Sequence, residues 1–106
     1  MVDPELDELR REFLAEADEK VREIEAKVAD RSPASVERLV HLAHQLKGSG
    51  GSYGFQVISD EATELEKAVE ELASSGDASE VATRIAHHAA KLRGEIDRRV
   101  RELARY

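Results

Sequence analysis

Four stretches of this 106-residue chain place apolar residues at alternating gaps of three and four, the spacing of an α-helix with one buried face. The first stretch carries Leu6, Leu9, Phe13, Ala17, Val21, Ile24 and Val28. The second carries Val36, Leu39, Ala43, Leu46, Gly50 and Tyr53. The third carries Ile58, Ala62, Leu65, Val69 and Leu72, and the fourth Val81, Ile85, Ala89, Leu92, Ile96, Val100 and Leu103. A helix with one apolar stripe must bury that stripe against others of its kind. The links between the stretches are only a few residues long, which makes consecutive helices antiparallel. The expectation is therefore an all-α fold, an antiparallel up-down four-helix bundle. It forms one domain over residues 1–106, with helices over about 4–29, 33–53, 56–74 and 78–105.

Local signals set the helix ends. Ser32 before Pro33 reads as an N-cap followed by proline at the first helical position. Gly54 stands where the second stripe stops, the place of a left-handed residue ending a helix. Gly76 is expected to close the third helix, with Asp77 and Glu80 as a capping box for the fourth. The Arg98, Arg99, Arg101 and Arg105 cluster falls where cations complement a helix dipole.

Composition excludes several classes of function. With no cysteine there is no disulfide framework and no thiolate metal or redox site. No apolar run is long enough to span a membrane, and the acidic first ten residues are unlike a secretory signal, so a cytoplasmic protein is expected. The net charge of −7 is unlike the basic footprint of a nucleic-acid binder. A core of this size leaves little room for both a nucleotide pocket and a substrate pocket, so a self-contained kinase is not expected. Charge is also unevenly spread: residues 31–54 carry a net +2, between stretches of −6 (residues 1–30) and −7 (residues 55–80).

One segment contradicts its own propensity. The second stripe runs through His44-Gln45-Leu46-Lys47-Gly48-Ser49-Gly50-Gly51 and stays in phase as far as Tyr53. Three glycines inside a helix cost roughly 3 kcal/mol relative to alanine. Such conflicts between local preference and fold mark function or close packing. A flexible linker would not keep the stripe in phase. The spacing meets neither nucleotide-binding glycine fingerprint. At about 100° per residue His44 lies roughly 120° from the middle of the stripe, away from the core. Lys47 and Gly48, three and four residues on, adjoin it on the helix surface. Gly48 leaves bare backbone beside the imidazole, which another protein can reach. If the second and third stretches turn about Gly54–Phe55, residues whose numbers sum to about 110 lie level. That puts His44 at the height of Glu66 and Lys47 at that of Thr63. A carboxylate on one ring nitrogen fixes the tautomer and leaves the other nitrogen as nucleophile.

The run Ala43-His44-Gln45-Leu46-Lys47-Gly48, then Gly54-Phe55 and Leu65-Glu66, resembles the histidine-containing phosphotransfer (Hpt) domain. The family's H-x-L-K-G pattern is matched by His44, Leu46, Lys47 and Gly48, and the remainder is similar to the phosphotransfer domain of the chemotaxis kinase. Thr63 stands where that subgroup often has a second histidine. The resemblance implies a four-helix module whose exposed His44 takes a phosphoryl group from a histidine kinase or a receiver aspartyl phosphate. It passes that group to the aspartate of a response-regulator receiver domain. Lys47 would offset phosphoryl charge and Glu66 would bond to the phosphorylated histidine. The chain itself would need no cofactor, with Mg²⁺ contributed by the receiver. It would be a phosphocarrier without a kinase or nucleotide site of its own, and without a nucleic-acid or membrane partner.

Two alternatives have different consequences. In a non-catalytic interaction or dimerisation bundle, His44 is incidental and Gly48, Gly50 and Gly51 serve close helix approach. In a degenerate phosphotransfer fold the chain docks receivers without accepting phosphate. The other histidines are weaker candidates. His41 points away from the core without a Lys-Gly pair, His87 is expected in solvent, and His88 is expected at the boundary or in the core. His41 and His44 make one pair without the third ligand zinc prefers.

Overall fold

The computed structural model describes residues 4–74 and 78–104. Among them are four helices and no strand: α1 (Pro4–Lys27), α2 (Pro33–Ser52), α3 (Gln56–Ser74) and α4 (Ala78–Leu103). The helices form a closed ring in which α1 packs on α2, α2 on α3, α3 on α4 and α4 on α1. The body is elongated, 51 × 19 × 19 Å.

The helix ends follow from side-chain and backbone hydrogen bonding. Ser32 is extended (φ −63°, ψ 148°), and its hydroxyl accepts from the Ser35 amide, with Pro33 in the first turn. Asp30 braces this cap, accepting from the Ser32 amide at 2.9 Å and the Ser35 hydroxyl at 2.6 Å. Those bonds, that from Ser35 foremost, hold the Asp30 carboxyl below its ordinary range. At the other end of α2 the Phe55 amide donates to Gly50 O at 2.8 Å and the Gly54 amide to Gly51 O at 3.2 Å. This is the Schellman pattern, and it requires the left-handed φ of +82° that Gly54 adopts. Arg10 of α1 reaches the same end, its Nε donating to Tyr53 O at 3.2 Å. The sharp turn leaves only three residues between α2 and α3.

The core is a column of aliphatic side chains, with Leu39, Leu46, Leu65, Ile85, Leu92 and Ile96 almost entirely removed from water. Each such burial stabilises the fold by about 1.5–3 kcal/mol before conformational entropy is counted. Phe13 closes one end, stacking on Tyr53 at 5.4 Å and on Phe55 at 5.5 Å between ring centres.

The apolar stripes need adjustment. Leu14, Leu42 and Ala68 join the core beside the residues the spacing picked out, because each helix packs on two neighbours and buries a wider face than a single line. Leu9 and Val100, expected inside, are exposed. Leu9 lies one turn before Phe13, whose partner Tyr53 caps α2, so α2 does not continue over it. Val100 borders an open groove with Arg11, Leu14 and Ala15. α1 stops at Lys27 rather than 29, α2 at Ser52 rather than 53, and α4 at Leu103 rather than 105. Gly76, Asp77 and Arg105 lie outside the described residues.

Ion pairs clasp the helices from outside. Arg93 of α4 bonds to Asp18 and Glu25 of α1 and to Asp97 on its own helix. Arg38 of α2 forms a two-pronged pair with Glu23 of α1, at 2.6 and 3.0 Å. Hydrogen bonding from Arg38 is the main cause that lowers the Glu23 carboxyl from its ordinary 4.5 to about 2. A depressed folded-state pKa gives stability that is present above the unfolded value and lost as pH falls through the folded one. Acid titration should therefore weaken the α1–α2 clasp between pH 4.5 and about 2. The effect is small, because both side chains are solvated. Replacing Arg38 with Met should flatten the pH dependence of unfolding in that window; an unchanged slope would mean the pair is silent.

Candidate functional site

The middle of α2 carries the site. Leu46 is buried and fixes the helix rotation, which leaves His44 outside with 71% of its side chain exposed. Glu66 of α3 lies beside it with only 13% of its side chain exposed. A carboxylate so far removed from water needs partners, and it has two. His44 Nδ1 lies 3.0 Å from Glu66 Oε2, and Lys47 Nζ lies 3.7 Å from Glu66 Oε1. The ionised carboxylate is an acceptor only, so Nδ1 carries the proton and donates it. Nε2 then presents its lone pair outward, with no protein hydrogen bond to it among the described residues.

The backbone behind these side chains is tied in place. Ser59 of α3, nearly buried, donates its hydroxyl to Lys47 O at 2.8 Å. Thr63, level with Lys47, turns its hydroxyl to Ser59 O on its own helix at 2.9 Å and takes no part in the His44 contact.

The glycines divide by role. A Cβ at Gly50 would stand 3.2 Å from Ser59 N, 3.3 Å from Ile58 Cγ2 and 3.4 Å from Phe55 O. Gly50 is therefore the residue that lets α2 and α3 approach. A Cβ at Gly51 would make only ordinary contact, 3.6 Å from Ser59 Oγ. A Cβ at Gly48 would meet nothing within 4 Å, so packing gives no reason for glycine there. Opposite signs are expected on substitution. Gly50→Ala should destabilise the fold by about 1–3 kcal/mol, since two of the three crowded atoms are backbone. Gly48→Ala should stabilise it by up to about 1 kcal/mol through helix propensity. Thermal or urea unfolding of both variants checks this, and equal shifts would contradict the division.

His44, Lys47, Gly48 and Glu66 thus converge on one exposed surface. His41 is also exposed, but among the described residues no carboxylate is bonded to it. Arg98 and Arg99 are engaged with Glu102 and Glu95 on their own helix. Among the described residues no group of three or more His, Asp or Glu side chains is placed to hold a metal ion, and no helix is long and apolar enough to cross a membrane. The sequence did not reveal a second His–Glu contact. His88 is half-buried and its Nδ1 lies 2.8 Å from Glu61 Oε2. The signal was present in His88-x-x-Lys91, which repeats the spacing of His44 and Lys47.

Comparison with protein-family models matches the Hpt domain over residues 8–104, nearly the whole chain. Comparison with curated proteins gave no match, and comparison with solved structures gave none. The family match spans all four helices, so the chain belongs to the Hpt domain family, the phosphotransfer modules of phosphorelay signalling.

Proposed function

We propose that His44 is the phosphoacceptor, through Nε2, with Glu66 and Lys47 as its positioning and charge-balancing partners. The observation that carries this reading is the 3.0 Å contact of Nδ1 with Glu66 on a ring that is 71% exposed. The phosphorus of a receiver aspartyl phosphate is attacked by Nε2. The N–P bond forms, the acyl P–O bond breaks, and the receiver keeps the carboxylate. The Nδ1 proton stays on the ring, where the Glu66 carboxylate balances the imidazolium. Lys47, 43% exposed and held by one long ion pair, is free to swing to the phosphoryl oxygens. The reverse step returns the group to a receiver aspartate. Positioning and charge carry such transfers, so little covalent machinery is required of the carrier.

The partners in this reading are a histidine kinase and a receiver domain, which supplies the acidic pocket and Mg²⁺. The setting is the cytoplasm, and residues 1–106 act as one carrier domain without a nucleotide site. An antiparallel up-down course of the helices belongs to the same reading. It is supported by cross-helix contacts that run in opposite senses along the chain: Lys47 with Ser59 and His44 with Glu66, Glu61 with His88 and Glu71 with Arg84, Asp18 with Arg93 and Arg11 with Leu103. The interaction-bundle alternative accounts for Gly50 but leaves Gly48 unexplained. Incubation with a phosphorylated receiver, followed by mapping of acid-labile phosphate, tests the proposal. Phosphate on His44 is expected; a chain that binds the receiver but takes no phosphate would overturn it.

A further inference from the structure

We propose that His88 on α4 is a second phosphoryl acceptor, open to small phosphodonors and closed to protein donors. The inference is independent of the role given to His44. Its basis is a geometry repeated atom for atom. His88 Nδ1 lies 2.8 Å from Glu61 Oε2, and Lys91, three residues on, places Nζ 3.7 Å from Glu61 Oε1. His44 and Lys47 divide the two oxygens of Glu66 in the same way, at 3.0 and 3.7 Å. Glu61 and Glu66 are five residues apart on α3, so they point about 140° apart around its axis. One carboxylate meets α2 and the other α4. α3 therefore orients two histidines on two different helices.

The reactive nitrogen at His88 is open. Nδ1 is committed to the acceptor-only carboxylate, which leaves Nε2 as the unprotonated atom. No protein hydrogen bond reaches Nε2 among the described residues, and it is not among the buried polar atoms that lack a partner. It is therefore in contact with solvent.

What differs is access. The His88 side chain is 18% exposed against 71% for His44. The His87 ring stands edge-on at 5.3 Å between centres. Four residues after His88 comes Leu92, which is in the core, whereas four after His44 comes Gly48 with open space beside it. A receiver surface is excluded from such a recess, and a donor of a few atoms is not. With phosphoramidate, Nε2 attacks phosphorus, the N–P bond to the ring forms, and the donor's P–N bond breaks. Ammonia leaves with the donor's own protons. The Nδ1 proton remains shared with Glu61, and Lys91, 51% exposed, lies within reach of the new charge.

The test is reaction of His44→Gln with phosphoramidate, followed by mapping of acid-labile phosphate by mass spectrometry under non-acidic conditions. Phosphate is expected on His88 in preference to His41 and His87, although both of those are more exposed. His44→Gln/Glu61→Gln should lose that preference. His44→Gln/His87→Gln should keep it. If His44→Gln takes no phosphate, or takes it on His41 or His87 as readily as on His88, then Glu61 only clasps α3 to α4 and the proposal fails. A phosphorylated receiver should leave His88 unlabelled in the same variant; label there would overturn the claim that the recess excludes proteins.

Discussion

Replacing His44 with Gln is expected to reduce phosphoryl transfer from a phosphorylated receiver to background, with helical circular dichroism unchanged. The ring is 71% exposed and contributes almost nothing to the core, so the fold does not depend on it. Its loss does leave Glu66 with Lys47 as its one remaining partner, but the site is at the surface and water can take the place of the ring. Glutamine keeps a polar side chain of similar reach and offers no nucleophilic nitrogen. Label appearing elsewhere at an undiminished rate would move the acceptor to another residue.

The second large effect is expected at Glu66. Truncation to alanine frees the imidazole to rotate and to exchange tautomers, so Nε2 is no longer held as the outward lone pair. Loss of a positioned geometry of this kind slows transfer by up to roughly 100-fold. Glu66→Gln should retain part of the rate, since its carbonyl still accepts from Nδ1 while the charge that balances the imidazolium is gone. Receiver affinity should change little in either variant, because the Glu66 side chain is only 13% exposed and offers a partner little surface. Single-turnover phosphorylation beside a binding measurement separates the two quantities. Equal losses of rate and affinity would mean that Glu66 shapes the docking surface and does not orient the ring.

The four-helix composition of the fold was legible because period and punctuation agreed. The stripe through Leu39, Ala43 and Leu46 fixed the outward direction of His44. Ser32-Pro33 and Gly54 marked ends whose hydrogen bonds the structure supplies. Burial at the margins of the stripes was less legible. Leu14 and Leu42 are core residues because each helix meets two others, and a one-dimensional pattern does not contain the second contact. The exposure of Leu9 depends on where a different helix stops.

At the site, the height match between His44 and Glu66 followed from counting residues through a tight turn. The stripe already set Gly50 on the packed face and Gly48 beside His44, but how closely Gly50 approaches α3 came only with the structure. His88 sits at the core boundary as expected, but its contact with Glu61 was not foreseen. Its position near the core stripe was visible, but the carboxylate that meets it lies on α3, and the repeated His-x-x-Lys spacing gained meaning only with Glu61 beside it.

The most direct test of the account is to identify the nitrogen that carries phosphorus. ¹⁵N-labelled protein, phosphorylated by a receiver and followed by ³¹P-coupled imidazole spectra, distinguishes the two ring atoms. The account predicts phosphorus on Nε2 of His44, with Nδ1 still protonated and bonded to Glu66. Phosphorus on Nδ1 of His44, or on any other residue from a receiver donor, would contradict it.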